Sequence, residues 1–372
     1  MIIHRDRDKD YPIRLTPGPF EVSPEVMLAG IKGIAGHRSN IFKRLLRENA
    51  DKIIEVYEIE KKEEYYPVVI TGSGTSAMES MVAATVQSSK PLVIVNGRFS
   101  QRLADISKIY NINTKILSFK NGDPIDINQV ESFILKNKEL TQLLFCIQDT
   151  REGILNPYIN LCSIAKKSGM LLCVDGISSM IFENVKPHIR DIDFFTDSSG
   201  KGIRSLPGLG IICGKINEFE KLSALKIKTY YLNLFNHFKI QKYAHEPLFA
   251  PAVSLHYSLG TALDELLSEG VETRRNNIIA FSSIVRDFIS EIGLKLLHSN
   301  LNENPNSITS IMLPERVKFK QFQEKVQEKG FLIYSGSSVY EDCFQIGTGG
   351  YLDEQIILEG LMAIKETIYE LT

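Results

Sequence analysis

Between residues 65 and 214, short runs of apolar, often β-branched residues recur and are separated by segments of helical length with amphipathic spacing. The runs "YPVVITG", "PLVIVNG", "TKILSF", "QLLFCIQ", "MLLCVDG", "IDFFTDSS" and "LGIICG" read as seven strands. Each is a near-continuous apolar stretch bounded by glycine, proline or polar residues, which suits a strand buried on both faces. Strands alternating with helices predict an α/β fold, a mainly parallel seven-stranded sheet with helices on both faces. Ligands of such sheets bind beyond the carboxyl ends of the strands. Five polar or glycine-bearing turns follow those ends: "TGSGTS" at 71–76, "NGRFS" at 96–100, "QDTREG" at 148–153, "DGISS" at 175–179 and "DSSGKG" at 197–202. The fold predicts that these five turns converge.

From about residue 215 the pattern changes to longer, more charged helical segments, and a boundary is expected near 240–255, around "HEPLFAPA". The tail carries "NSITSIMLP", a helix near 318–329, "FLIYSG", "CFQIG" and a last helix from Asp353, which together read as a smaller α+β unit. The expected organisation is a large domain over 15–245 and a small C-terminal domain over 250–372, with residues 1–25 packing on the latter.

Composition narrows the function classes. With 43 basic and 45 acidic residues the formal charge is -2, which offers no field for gathering nucleic acid or an anionic membrane. The start, "MIIHRDRDKDYP", carries charges where a signal peptide needs an apolar run, and no apolar stretch approaches the length that spans a bilayer, so the cytoplasm is the expected compartment. Five cysteines without CxxC pairing suit reduced core thiols rather than a zinc site; Cys343 reads as structural.

Three features ask for one ligand. "VVITGSGTSAMESMVAA" is a strand, a glycine-rich turn and a helix start, with Ser76 and Glu79 at capping-box spacing; free N–H groups and the helix dipole there suit a phosphate. Asp175 ends the apolar strand "MLLCVD", where a carboxylate needs a cation or donor unless it only caps the next turn. Lys201 lies between two glycines in an apolar surround, where lost solvation lowers its pKa and makes the amine a nucleophile, unless it is one more exposed lysine. An aldehyde cofactor would bond Lys201, meet Asp175 through a pyridinium nitrogen and rest its phosphate on the 72–76 turn.

In order along the chain, "LTPGP", "GHRSNIF", "GSGTSAMES", "NGRFSQR", "DTREGILNP", "VDGISS" and "SSGKGIRSLPGLG" resemble the class V aminotransferases, the branch holding serine-pyruvate, alanine-glyoxylate and 2-aminoethylphosphonate-pyruvate aminotransferases. The resemblance implies fold type I, pyridoxal 5'-phosphate as cofactor, an amino donor and a 2-oxo acid acceptor, and a homodimer with sites at the subunit interface. It implies Lys201 as the Schiff-base lysine that also shuttles protons, Asp175 on the ring nitrogen, Phe99 stacked on the ring and Thr150 on the phenolic oxygen. It places Gly74 and Thr75 at the phosphate and Gly18 beside the substrate.

Departures from the pattern bear on the substrate. Gln345 in "CFQIG" stands where the family keeps an arginine that clamps a carboxylate, and glutamine lacks that bidentate charge. Arg151 and Arg204 are candidates for an anionic group instead, or are ordinary surface charges. Gly200 and Ala250 stand where relatives carry polar phosphate contacts, leaving Ser199 and Tyr243 as substitutes. A lyase, an amine-specific transaminase and a non-catalytic protein that keeps the fold are the alternatives.

Overall fold

The computed structural model describes residues 10–31 and 35–372. All seven apolar runs form strands: β1 (Tyr65–Thr71), β2 (Pro91–Val95), β3 (Lys115–Ser118), β4 (Gln142–Cys146), β5 (Leu171–Asp175), β6 (Phe194–Ser198) and β7 (Leu209–Lys215). They make one seven-stranded sheet in the order β1-β7-β6-β5-β4-β2-β3. Neighbours are parallel except where β7 lies antiparallel between β1 and β6. The register sets Asp175 beside Cys146 on one side and Thr196 on the other.

Successive strand residues feed two apolar layers, which is why the runs are continuous rather than alternating. Leu92, Ile94, Leu143 and Phe145 point into one layer, and Val93, Val95, Leu144 and Cys146 into the other. The first layer is closed by α1 (Asn40–Val56), through Ile53 and Ile54. The second is closed by α2 (Gly74–Thr85) and α3 (Arg98–Tyr110), through Met78, Met81 and Leu103. Helix α4 (Val253–Glu269) packs on α1 and adds Leu259 and Leu263 to the first layer.

A second, antiparallel sheet of four strands follows α5 (Val271–Glu291): β8 (Lys295–Leu296), β9 (Ile308–Met312), β10 (Tyr334–Ser335) and β11 (Cys343–Gly347), in the order β8-β9-β11-β10. Helices α5, α6 (Phe319–Glu328) and α7 (Glu354–Leu371) share its core through Val285, Phe322 and Leu361. The run "FLIYSG" splits at Ile333. Its first half, Phe331–Leu332, pairs in parallel with Ile13–Arg14, so this N-terminal stretch belongs to the smaller sheet's surroundings, and Leu15 joins that core. Asp353 caps α7, its carboxylate accepting from the Ile356 amide at 2.8 Å.

The expected capping box does not form. Helix α2 begins at Gly74 with Ser73 as its N-cap, the Ser76 hydroxyl donates to Ser73 O at 2.6 Å, and Glu79 accepts instead from the Tyr110 hydroxyl. Two glycines and no side-chain cap leave the first turn of α2 open toward the sheet's carboxyl edge.

Candidate active site

At that edge the turns after β1, β4, β5 and β6 and the start of α3 surround a cavity of about 220 Å³. Gly18, Gly74, Thr75, Phe99, Thr150, Asp175 and Lys201 all line it, so seven of the residues singled out in the sequence share one space.

Lys201 sits in a tight turn closed by Lys201 N to Ser198 O (3.3 Å) and Arg204 N to Lys201 O (2.9 Å). Its ammonium nitrogen crosses to Pro17 O at 2.6 Å. Burial pushes the Lys201 amine down to about 8, against the pull of the carboxylates of Asp175 and Asp197. An amine tuned to that range is in part neutral near neutral pH and serves as nucleophile and proton carrier. Gly18 makes the approach feasible: at φ +114° it adopts a backbone shape that disfavours a side chain, and a Cβ there would lie 2.8 Å from the Lys201 nitrogen.

Asp175 is 6% exposed. Burial raises its pKa, opposed by hydrogen bonds from Ile177 N (3.0 Å), the Cys146 thiol and the Thr196 hydroxyl (3.2 Å). These contacts fix the carboxylate at the cavity floor. Behind it Asp197, also buried, accepts from the Tyr57 hydroxyl at 2.9 Å and from Ser198 N at 2.7 Å, and burial lifts its pKa to about 8.

At the opposite end, the Gly74 and Thr75 amides open α2 at its positive dipole end, with no side-chain cap over them, while the Ser76 amide turns back to Ser73 O at 2.9 Å. Arg102 reaches the same spot: its guanidinium donates to Thr75 Oγ1 at 3.0 Å and lies 4.9 Å over the Phe99 ring. No carboxylate of the described residues pairs with it. Asp149 holds the start of α3 in place, accepting at one oxygen from Phe99 N (3.0 Å), Ser100 N (2.9 Å) and the Ser100 hydroxyl (3.0 Å). Thr150 donates to the Ser178 hydroxyl at 2.7 Å.

The remaining candidates are engaged elsewhere and do not line the cavity. Ser199 braces its own turn, donating to Leu206 O and accepting from Leu209 N. Arg151 donates to Ser335 O and Oγ in the smaller sheet, and Arg204 to Gly349 O. Gln345 donates to Thr150 O at 2.7 Å and Ser310 Oγ at 3.0 Å. Tyr243 is exposed and bonded to Glu220. Cys343 is buried, and burial pushes its thiol up to about 12.

Reading the sequence alone overlooked Arg102, Gln148 and Ser178, all in the cavity wall. The signals existed. Arg102 is three residues beyond Phe99 on a helix and so shares its face, and Gln148 alternates with Thr150 on an extended segment.

The residues fit pyridoxal phosphate on three counts. An amine of lowered pKa sits near a buried carboxylate, an open helix start with a guanidinium lies across from them, and the side-chain amide of Gln148 in the wall has no partner at either end.

The aminotransferase class-V profile matches residues 32–348. A 2-aminoethylphosphonate–pyruvate transaminase of Phocaeicola vulgatus is 27% identical over 342 residues, covering 90% of this chain and 93% of that protein. One from Bacillus cytotoxicus is 28% identical over 361 residues, 95% and 97% of the two chains. Among solved structures, ureidoglycine–glyoxylate aminotransferase from Bacillus subtilis superposes with a TM-score of 0.91 at 20% identity, over 99% of this chain and 95% of that one.

Proposed function

The chain belongs to the class-V aminotransferases, a pyridoxal-phosphate-dependent family, and from that premise we propose that Lys201 is the residue that binds the cofactor and moves the proton. The observation that carries this is the Lys201 amine itself, held in the cavity beside two buried carboxylates with its pKa brought down to about 8. Asp175 would meet the ring nitrogen and favour its protonated form, Gly74, Thr75 and Arg102 would hold the phosphate, and Phe99 would pack against the ring. The bound cofactor supplies an electron-accepting ring that stabilises negative charge on the substrate carbon bearing the amine. The Lys201 amine would carry a proton to and from that carbon as general base and acid.

The proposed reaction moves an amino group from a small amine or amino acid to a 2-oxo acid. A phosphonate-bearing amine is the favoured donor, supported by the named activity of the relatives. Arg151, Arg204 and Gln345 are all committed to other partners, which favours an amine-specific transaminase or a lyase acting on an uncharged-tail amine as the second reading. Dependence of turnover on added 2-oxo acid separates a transaminase from a lyase, and the rate with a phosphonate-bearing amine against its uncharged analogue separates the two donors.

A cytoplasmic homodimer completes the reading. Tyr230 and Tyr231 are 86% and 42% exposed, and Leu28 and Ile31 also present apolar surface, which a second copy would cover. Borohydride reduction of the purified protein, followed by peptide mapping, tests the core proposal: a pyridoxyl-phosphate adduct on Lys201 is expected, and an unmodified Lys201 after cofactor is supplied overturns it.

A further inference from the structure

Gln148 is the one cavity-lining side chain of the described residues whose amide nitrogen and oxygen are both buried without a hydrogen-bond partner. The residue is 3% exposed. Leaving a buried amide unpaired typically costs about 1–3 kcal/mol, so such a group in a cavity wall points to a ligand that satisfies it.

Its position narrows which group that ligand offers. Gln148 follows β4 two residues past Cys146, the residue paired with Asp175, and Ile147 N donates to Asp175 O at 2.9 Å. Gln148 and Asp149 pair with Leu155 and Ile154 in a short two-stranded ladder. Alternation along it sends Asp149 to the start of α3 and turns Gln148, like Thr150, to the cavity. Gln148 therefore shares the cavity wall with Phe99, Asp175 and Thr150.

Pyridoxal phosphate has three polar groups besides its aldehyde: the ring nitrogen, the phosphate and the phenolic oxygen. Asp175 would meet the first, and the α2 start with Arg102 the second. Thr150 and Ser178, which share a hydrogen bond, also face the cavity. The Gln148 amide is the buried donor of that wall with no partner at all. We propose that Gln148 donates its side-chain N–H to the phenolic oxygen of the bound cofactor, as a cofactor-positioning residue this site has in addition to Thr150. This rests on the cofactor occupying the cavity as proposed above.

The test is a binding cycle on the full-length protein. Apoprotein of the wild type and of Gln148→Leu is titrated with pyridoxal phosphate and with an analogue lacking the phenolic oxygen, and the melting temperature of each apoprotein is recorded. Gln148→Leu is expected to bind pyridoxal phosphate roughly tenfold more weakly, and to bind the deoxy analogue as the wild type does. Its apoprotein should melt no lower than the wild type, because an unpaired buried amide has been removed. The pH at which the bound cofactor's visible absorbance changes should rise in the variant, since a donor favours the ionised oxygen. Gln148→Met, unbranched and of similar length, repeats the experiment should leucine disturb the fold. Equal affinity for pyridoxal phosphate, or the same loss with both cofactors, overturns the assignment. A wild type that binds neither cofactor overturns the occupancy on which it rests, whereas a wild type that binds both beside an indistinguishable variant overturns the Gln148 contact alone.

Discussion

Gly18 and Lys201 meet across the cavity mouth, and neither position tolerates much change. A methyl group on Gly18 would lie 2.8 Å from the Lys201 nitrogen and about as close to its Cδ and Cε, on a backbone already at φ +114°. Lysine is flexible, so the amine would swing aside rather than the chain unfold, and the left-handed backbone adds about 1–2 kcal/mol of strain. Gly18→Ala is therefore expected to give a folded protein whose kcat falls at least roughly tenfold, the penalty of a displaced reacting group. Steady-state kinetics with a circular-dichroism melt checks this, and wild-type turnover in the variant would mean that the Lys201 amine works from elsewhere. This pair was half legible in the sequence. The glycine in "LTPGP" and the lysine in "SSGKG" both stood out, but 183 residues separate them, and their contact follows only from the fold.

Helix α3 shows what local pattern reading misses. A serine followed three residues later by a glutamate suggested a capping box at Ser76 and Glu79, yet α2 starts earlier and Glu79 bonds Tyr110. The side chain that ties down a helix start at the site is Asp149, about fifty positions from the amides it accepts. No local motif encodes such a cap. Its second oxygen is buried without a partner, and burial lifts the Asp149 pKa to about 6, so this carboxylate is held under tension between desolvation and three donors. Asp149→Ala strands the amides of Phe99 and Ser100 and should lower stability by about 1–2 kcal/mol, as loss of an N-cap does. Because Phe99 and Arg102 ride on that helix, cofactor affinity should fall as well. Asp149→Asn, which keeps an acceptor, should recover most of both. Denaturant unfolding and cofactor titration measure the two effects, and a stability loss without any affinity loss would detach α3 from the site.

The seven strands were legible because burial on both faces leaves an unbroken apolar signature, and the converging turns followed from the parallel arrangement. The reversed direction of β7 was not, since a doubly buried strand reads alike either way. Nor were the contacts that tie the two sheets together, which join residues far apart in sequence. Gln345 holds Thr150 O, Arg151 holds Ser335, and Glu152 accepts from Ser337 and Ser338. Glu183, on the far side, accepts from both the backbone and side-chain nitrogens of Asn306 at 2.8 Å, with Arg286 and Arg275 of α5 as the cations facing it. Burial outweighs those contacts and lifts the Glu183 pKa from 4.5 to about 7. A carboxyl whose folded value is raised binds its proton more tightly in the native state, so its contribution is full below the ordinary value and is lost as pH rises through about 7. Glu183→Gln cannot ionise. Relative to the wild type, it should be no more stable in acid and should gain on the order of 1–2 kcal/mol once pH exceeds the folded value, less than the full shift because its amide faces the donors of Asn306. Urea unfolding of both proteins across that window provides the check: a stability difference that stays constant with pH would show that Glu183 does not titrate there and that the junction between the sheets is insensitive to its charge.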